Sequence, residues 1–466
     1  MSRESDYKIK IGYAPTRRNG GGPPNEPAWE IRDQLRKRIY DILGKMHDVE
    51  IVDIDWVNEE GLLYANEDAR KVGRYFLDQQ VDCVFMPSCN FGCEEVVGIV
   101  GKMVQKPFLV WAPRDGMPPK NHEWRPLDFQ CGLFTIGNVL RRRGVPFTYI
   151  ENCWMDSPIL EEGLDRFIRV ASVVKAFYNI RIGQIGMRPE PFLSVMYNEG
   201  ELMERFGIEV EPIEGTDIIA LMKDILANRK EDVDRVSARI ESEIDCSEAF
   251  EDVVRNTAAL ELAVKELKET HGCTAFATEC WKVIVDEFKV WPCYAVGDLS
   301  EEGIILGCET DVLGAISSVI MAAASRGETP TFLADLTIRN PINDNSELLW
   351  HCGPFPQSLR KEGAEAKLVG EGYGQFEIKG GDITIGRLAY NTGDYIFLVE
   401  EVKGCEGPET CGTYVYVEAK DWPKLERKLV KGPYIHHVTG VHGNYEAVIR
   451  EAMRYINGVE IDDRDY

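Results

Sequence analysis

The chain has 466 residues, 44% of them hydrophobic, enough for roughly two to four domains with real cores. Its 78 acidic residues against 53 basic ones give a formal charge of −25, which weighs against nucleic acid and anionic membrane as partners, because phosphate binding runs on Lys and Arg. The N-terminal MSRESDYKIKIGYAP has no apolar leader core, no run approaches the roughly 20 apolar residues of a membrane helix, and the 13 cysteines lack zinc-site spacing, so a cytoplasmic protein with reduced thiols is expected.

Strand-like and helix-like patterns alternate almost throughout, which predicts α/β layers with largely parallel sheets. Lys8–Tyr13 reads as a strand, Pro27–Gly44 as an amphipathic helix, Val49–Asp53 as a strand, Glu67–Gln79 as a helix and Val81–Met86 as a strand. Pro107–Trp111 and Val145–Ile150 supply two more strands, the second preceded by a helix over Leu133–Arg143. Together they predict a doubly wound, Rossmann-like α/β domain over residues 1–157. A long helix near Leu160–Tyr178 opens a second doubly wound domain over residues 158–322. It continues with the strand and turn RIGQIGMRPEPF, a helix Leu193–Phe206, a strand Glu209–Pro212 and a helix Thr216–Ala227. Ile240–Glu269 reads as one or two helices, and TAFATECW and GIILGC as further strands. From about Pro330 short β-like runs (Thr331–Leu336, Glu347–His351, Ile383–Leu388, Tyr395–Val402, Thr413–Glu418) are broken by Gly, Pro and Asn. That texture predicts a mainly antiparallel β domain over residues 323–466 with a closing helix, Tyr445–Ile456.

The stretch GCETDVLGA sets Glu309 and Asp311 between two apolar runs, at the carboxyl end of a strand, where open α/β sheets bind ligands. Asp311 reads as an N-cap for the helix that follows, or as a site acid; Glu309 lies ahead of the cap and reads as a site residue. Asp335 interrupts the apolar run TFLADL, where an ionised carboxylate is costly unless paired or bound to metal. His351 does the same in ELLWHCG, as a metal ligand or as a hydrogen-bonded core histidine. The segment PYIHHVTGVHG then adds His436, His437 and His442, so four of the seven histidines fall between 351 and 442. Carboxylates with imidazoles, and no cysteine spacing, suit Mn²⁺ or another divalent cation better than a thiolate zinc site. PTRRNGGGPPNE lacks the order of a nucleotide loop and reads either as a solvated loop or as one that brings Arg17 to substrate oxygens. Glu279 and Trp281 in TECW end another strand, as a structural acid and its neighbour or as substrate contacts.

In this order, CETDVLGA, FLADL, LWHCG and the His436-His437 pair resemble the L-fucose isomerase and L-arabinose isomerase superfamily. MPSCNFGCEE, with Phe91, resembles the active-site loop of that family's first domain, and GLDRFIRVASVVKAFYNIRIGQIGMRPEPF resembles the segment that opens its second. The resemblance implies a metal-dependent aldose–ketose isomerase that moves a proton between C1 and C2 of an open-chain sugar through a cis-enediol. Glu309, Asp335, His351 and His437 would hold Mn²⁺, with Glu309 and Asp335 also carrying the proton, while Arg17, Phe91, Glu279, Trp281, His436 and His442 would face the substrate. It also implies homotrimers or homohexamers in which one subunit's first domain closes its neighbour's site. A non-catalytic sugar-binding protein and a metal-dependent hydrolase are the competing readings. The shorter C-terminal region and the loop PSCNFG leave the sugar itself open.

Overall fold

A computed structural model describes residues 7–20, 25, 28–118 and 127–466. The Gly-Pro part of the loop after the first strand, and the expected helix start at Pro27, lie outside the described residues. The chain divides within one helix into two compact units, the first ending at Lys175 and taking back Arg454–Ile456, the second made of Ala176–Met453 and Asn457–Tyr466.

The first unit alternates β1 (Ile9–Tyr13), α1 (Ala28–Leu43), β2 (Val49–Val52), α2 (Asn66–Asp78), β3 (Cys83–Pro87), α3 (Glu94–Val104), β4 (Phe108–Trp111), α4 (Phe129–Arg142), β5 (Thr148–Tyr149) and most of α5 (Pro158–Tyr178). Its five strands form one parallel sheet in the order β2-β1-β3-β4-β5. The apolar faces of α1, α2, α3 and α4 bury Leu35, Val72, Val100 and Ile136 in one core with strand residues such as Ile11 and Phe85. The run CVFMP is buried along its whole length, as a central parallel strand covered on both faces should be.

The second unit continues with β6 (Arg181–Ile185), α6 (Glu199–Phe206), β7 (Glu209–Ile213), α7 (Gly215–Asn228), α8 (Lys230–Glu243), β8 (Asp245–Ala249), α9 (Val253–His271), β9 (Ala275–Thr278), α10 (Val283–Phe288), α11 (Cys293–Glu301), β10 (Ile305–Gly307) and α12 (Val312–Ser325). Strands β10-β9-β6-β7 form a second parallel sheet. α12 (VLGAISSVIMAAAS) is buried at every position, as a helix apolar all round must be. Its small residues admit close neighbours: Ser317 Oγ accepts the Leu388 N–H at 2.8 Å, and Ser318 Oγ meets Thr439 Oγ1 at 2.9 Å.

The remainder is β11 (Phe332–Arg339), β12 (Ser346–His351), β13 (Lys367–Gly370), β14 (Tyr373–Glu377), β15 (Asp382–Asn391), β16 (Asp394–Cys405), β17 (Thr413–Glu418), α13 (Trp422–Lys431), β18 (His437–His442), α14 (Glu446–Met453) and β19 (Val459–Ile461). Six strands pair antiparallel in a ring, β16-β15-β18-β11-β12-β17, which returns to β16 through Lys403↔Glu418 and Cys405↔Tyr416. The C-terminal β region is therefore a closed barrel, and closure leaves those strands no free edge. The β15–β16 hairpin turns through Thr392 and Gly393, both at positive φ, as the tight turn that suits a twisted ribbon requires.

Two segments depart from their sequence patterns. Ile240–Glu269 is broken by β8, which pairs parallel with β13; tertiary pairing overrides a charged-and-apolar pattern that reads as helix. Of the triple-histidine segment, His437–His442 form the barrel strand β18 between β11 and β15, with His436 just ahead of it. Among the described residues no helix is long and apolar enough to cross a membrane.

Candidate functional site

The site lies in the second unit, where the carboxyl ends of β9 and β10 meet barrel strands β11, β12 and β18. After β10 the chain turns through Glu309 and Thr310, two consecutive non-glycine residues at φ 59° and 56°, before entering α12. Left-handed backbone of this kind costs energy and persists only where the surroundings demand it. Trp281 Nε1 donates to Glu309 Oε1 at 2.9 Å, and Glu309 Oε2 lies 3.1 Å from His437 Nε2. Burial works against the Glu309 carboxylate, but His437 and the Trp281 N–H outweigh it and hold the acid below its ordinary range.

The register of the barrel brings the other groups to the same place. Asp335 of β11 is paired opposite His437 of β18, and β12 beside it ends on His351. Asp335 Oδ1 is 3.4 Å from His437 Nε2, 3.8 Å from His436 Nε2 and 3.9 Å from His351 Nε2. Ligand-capable atoms of Asp335, His351 and His437, and of Glu309, His436 and His437, lie within 4.8 Å of one another in each group, with His437 common to both. Asp335 Oδ1, His351 Nε2 and His437 Nε2 are buried and make no hydrogen bond among the described residues. Three such atoms facing one another are costly in a bare protein and suit a divalent cation bound by oxygen and nitrogen donors.

Asp311 explains how His437 is aimed. It is fully buried, caps α12 by accepting the Gly314 N–H at 2.9 Å, takes both guanidinium nitrogens of Arg387, and contacts His437 Nδ1 at 2.8 Å. Burial opposes its charge, but Arg387 and then His437 hold the carboxyl well below the usual carboxylate range. The ionised Asp311 accepts a hydrogen bond from His437 Nδ1–H and leaves the Nε2 lone pair toward Glu309 and Asp335, the tautomer a metal-ligating histidine needs. A Cβ at Gly314 would sit 2.5 Å from Asp311 Oδ2, so the glycine of DVLGA keeps room for this pair. Asp311 is thus an N-cap and a site acid at once. Arg387 was not among the sequence candidates, although it too is a charge inside an apolar β-run, IGRLAY.

At His351, Nδ1 accepts the Cys352 backbone N–H at 2.9 Å and lies 3.1 Å from Cys352 Sγ. Burial pulls this imidazole down, but Cys352, Asp335 and Glu309 prevail and raise it, surroundings that favour positive charge at this point. Over the site stand three rings: Phe192 stacks on Trp281 with centroids 6.2 Å apart and on His436 at 5.6 Å. No sequence signal marks Phe192.

Within the second unit, Glu279 and His442 stand apart from this cluster. Glu279 is buried and its carboxylate accepts the backbone N–H groups of Trp281, Lys282 and Val283, which makes it a cap ahead of α10. His442 lies five residues along β18 from His437, about 17 Å in an extended strand, and its Nε2 bonds the Lys379 carbonyl at 2.9 Å. Arg17 and Phe91 belong to the first unit. There Arg17 is buried, paired with both oxygens of Glu60 at 2.5 and 2.9 Å and set over the Tyr64 ring, while the Arg18 guanidinium lies 4.9 Å from the Phe91 ring centre.

Residues 28–178 match the model of the fucose/sulfoquinovose isomerase N-terminal domain. The chain is 28% identical over 398 residues to a sulfoquinovose isomerase of Priestia aryabhattai, covering 82% of this chain and 86% of that one. It is 26% identical to a sulfoquinovose isomerase of Alkalicoccus urumqiensis, covering 81% and 85%. A periplasmic solute binding protein from Actinobacillus succinogenes 130z with bound D-allose aligns over 69% of this chain and 94% of that one at 9% identity, but its TM-score of 0.18 carries no argument. These likenesses support the fucose isomerase-like sugar isomerase superfamily. The named relatives are sugar isomerases.

Proposed function

We propose that the protein isomerises sulfoquinovose, a sulfonated aldohexose, to the corresponding ketose with the help of a divalent cation, Mn²⁺ by preference. The observation that carries the metal reading is the trio of buried, unpartnered atoms Asp335 Oδ1, His351 Nε2 and His437 Nε2 beside the Glu309 carboxylate. The residues that would hold the ion are Glu309, Asp335, His351 and His437. When bound, it would supply Lewis-acid stabilisation of charge developing on neighbouring sugar oxygens. The chain's own groups do the rest. Glu309 and Asp335 take and return the proton exchanged between C1 and C2 through a cis-enediol, and Glu309, held below its ordinary range, is ionised and ready as a base at neutral pH. Asp311 and Arg387 orient His437, and Trp281 fixes the Glu309 carboxylate. Phe192, Trp281 and His436 offer an aromatic wall that covers the reacting carbons and sheds water. The sugar itself is suggested by the names of the relatives, whose lengths this chain nearly spans.

We also read the two parallel sheets as doubly wound Rossmann-like layers, and the assembly as a cytoplasmic homotrimer or homohexamer. In that assembly, Arg17 and Phe91 of one subunit would face the site of another. Assay of sulfoquinovose, L-fucose and L-arabinose with and without Mn²⁺ tests the reading. Mass-conserving conversion of sulfoquinovose, lost on chelation and restored by Mn²⁺, is the expected result. Full turnover after exhaustive chelation, or hydrolysis instead of isomerisation, overturns it.

A further inference from the structure

Four of the thirteen cysteines sit beside site residues in the chain or in space. Cys280 lies between Glu279 and Trp281, Cys308 precedes Glu309, Cys352 follows His351, and Cys293 opens α11. All are free thiols. Two of them are in direct contact: Cys293 Sγ and Cys352 Sγ are 2.9 Å apart, although 58 residues separate them in the chain. A bonded pair stands at about 2.05 Å, so closure needs roughly one ångström of approach. Their surroundings differ in a useful way. Cys293 is fully buried, whereas Cys352 is partly open to solvent. Cys352 also touches the imidazole at the centre of the site, its sulfur 3.1 Å from His351 Nδ1.

We propose that Cys293 and Cys352 form a redox-active dithiol that closes reversibly to a disulfide beneath the site and, by drawing the Cys352 sulfur away from His351 Nδ1, turns the site off. The oxidant is a peroxide. The accessible Cys352 sulfur attacks one peroxide oxygen, the O–O bond breaks, and a sulfenic acid and one water result. Cys293 then attacks the sulfenyl sulfur, the S–O bond breaks, and its proton leaves with the hydroxyl as a second water. Two thiols thus lose two electrons and two protons, and hydrogen peroxide is reduced to two waters. A dithiol reductant reverses the step by exchange. The effect on the site follows from the geometry: the Cys352 backbone N–H and sulfur are the groups at His351 Nδ1, and such outer partners set the orientation of a ligating ring.

The dithiol itself rests only on the sulfur contact; its effect on the site rests on the metal-centre reading above. The test uses the full chain, purified reduced and then treated with hydrogen peroxide. Rapid alkylation, digestion and mass spectrometry should find residues 293 and 352 in one linked peptide, absent in Cys293→Ser and in Cys293→Ala and reversed by dithiothreitol. Mn²⁺ titration should show affinity about 10- to 100-fold weaker in the oxidised protein, while Cys293→Ser, close to the wild type in basal activity, should stop at the Cys352 sulfenic acid, which dimedone traps. Full alkylation of both thiols after peroxide, with no linked peptide, overturns the proposal. A linked peptide with undiminished Mn²⁺ affinity overturns the switch. If the reduced protein binds no Mn²⁺ while the link forms, the metal-centre reading fails and the dithiol stands.

Discussion

Asp311 and Glu261 are both fully buried acids of the same compact unit, yet one is held ionised and the other is pushed toward its neutral form. Burial raises both, so burial does not separate them. Asp311 has a buried guanidinium to itself, the imidazole of His437, and one first-turn N–H of α12, that of Gly314. Glu261 shares one half-exposed guanidinium, that of Arg239, with the neighbouring carboxylate of Asp298, which adds its own charge against it. Local counter-charge decides which acid stays charged. In the first cluster the fixed charge of Asp311 then sets a histidine tautomer and leaves unpartnered atoms facing inward; in the second the charges close among themselves. A site and a structural knot are built from the same residue types.

Five substitutions would break or sharpen that contrast. Glu309→Gln and Asp335→Asn should each lower turnover by roughly 10²- to 10⁴-fold, with thermal unfolding little changed; a variant that keeps a tenth of the rate would remove its acid from the proton path. Asp311→Asn leaves Arg387 buried without its counter-ion and should cost about 3–5 kcal/mol in denaturant unfolding. Because the folded state holds Asp311 below its free value of 3.8, the wild-type advantage should be complete above that value and vanish as pH falls through the depressed one.

Glu347, in barrel strand β12, is a third buried acid, raised by burial and then by Glu426 to about 7. Its folded value exceeds its unfolded one, so wild-type stability should fall as pH rises from about 4.5 to about 7. Glu347→Gln should therefore gain about 2–3 kcal/mol at pH 8 and nothing at pH 4, read from paired melting curves. Equal melting curves at both pH values would mean that Glu347 is already solvated. Glu261→Gln should change stability by no more than about 1 kcal/mol at neutral pH, since the amide matches the charge of the protonated acid. A loss as large as that of Asp311→Asn would mean that Glu261 is ionised and would collapse the comparison.

Much of the site was legible in the chain because charge inside an apolar run is an energetic anomaly that needs a partner. Glu309, Asp335 and His351 stand out on that ground, His437 by the concentration of histidines around it, and the fold brings all four within a few ångströms. The alternation of strands and helices likewise announces parallel layers, and the Gly-Asn-Pro punctuation after Pro330 announces an antiparallel region. Other features came only with the tertiary structure. Barrel closure depends on the pairing of β16 with β17, a non-local registration that no periodicity encodes. β8 is a strand because β13 offers it an edge. His437 faces the cluster and His442 does not because they occupy opposite ends of one strand, a distinction invisible while both are simply histidines in a short segment. Asp311 looks like an ordinary helix cap until Arg387, 76 residues away, folds onto it. Local energetic cost is written residue by residue, so the sequence by itself determined which groups need compensation; which group compensates which is a matter of distance in space, and only the folded chain decided that.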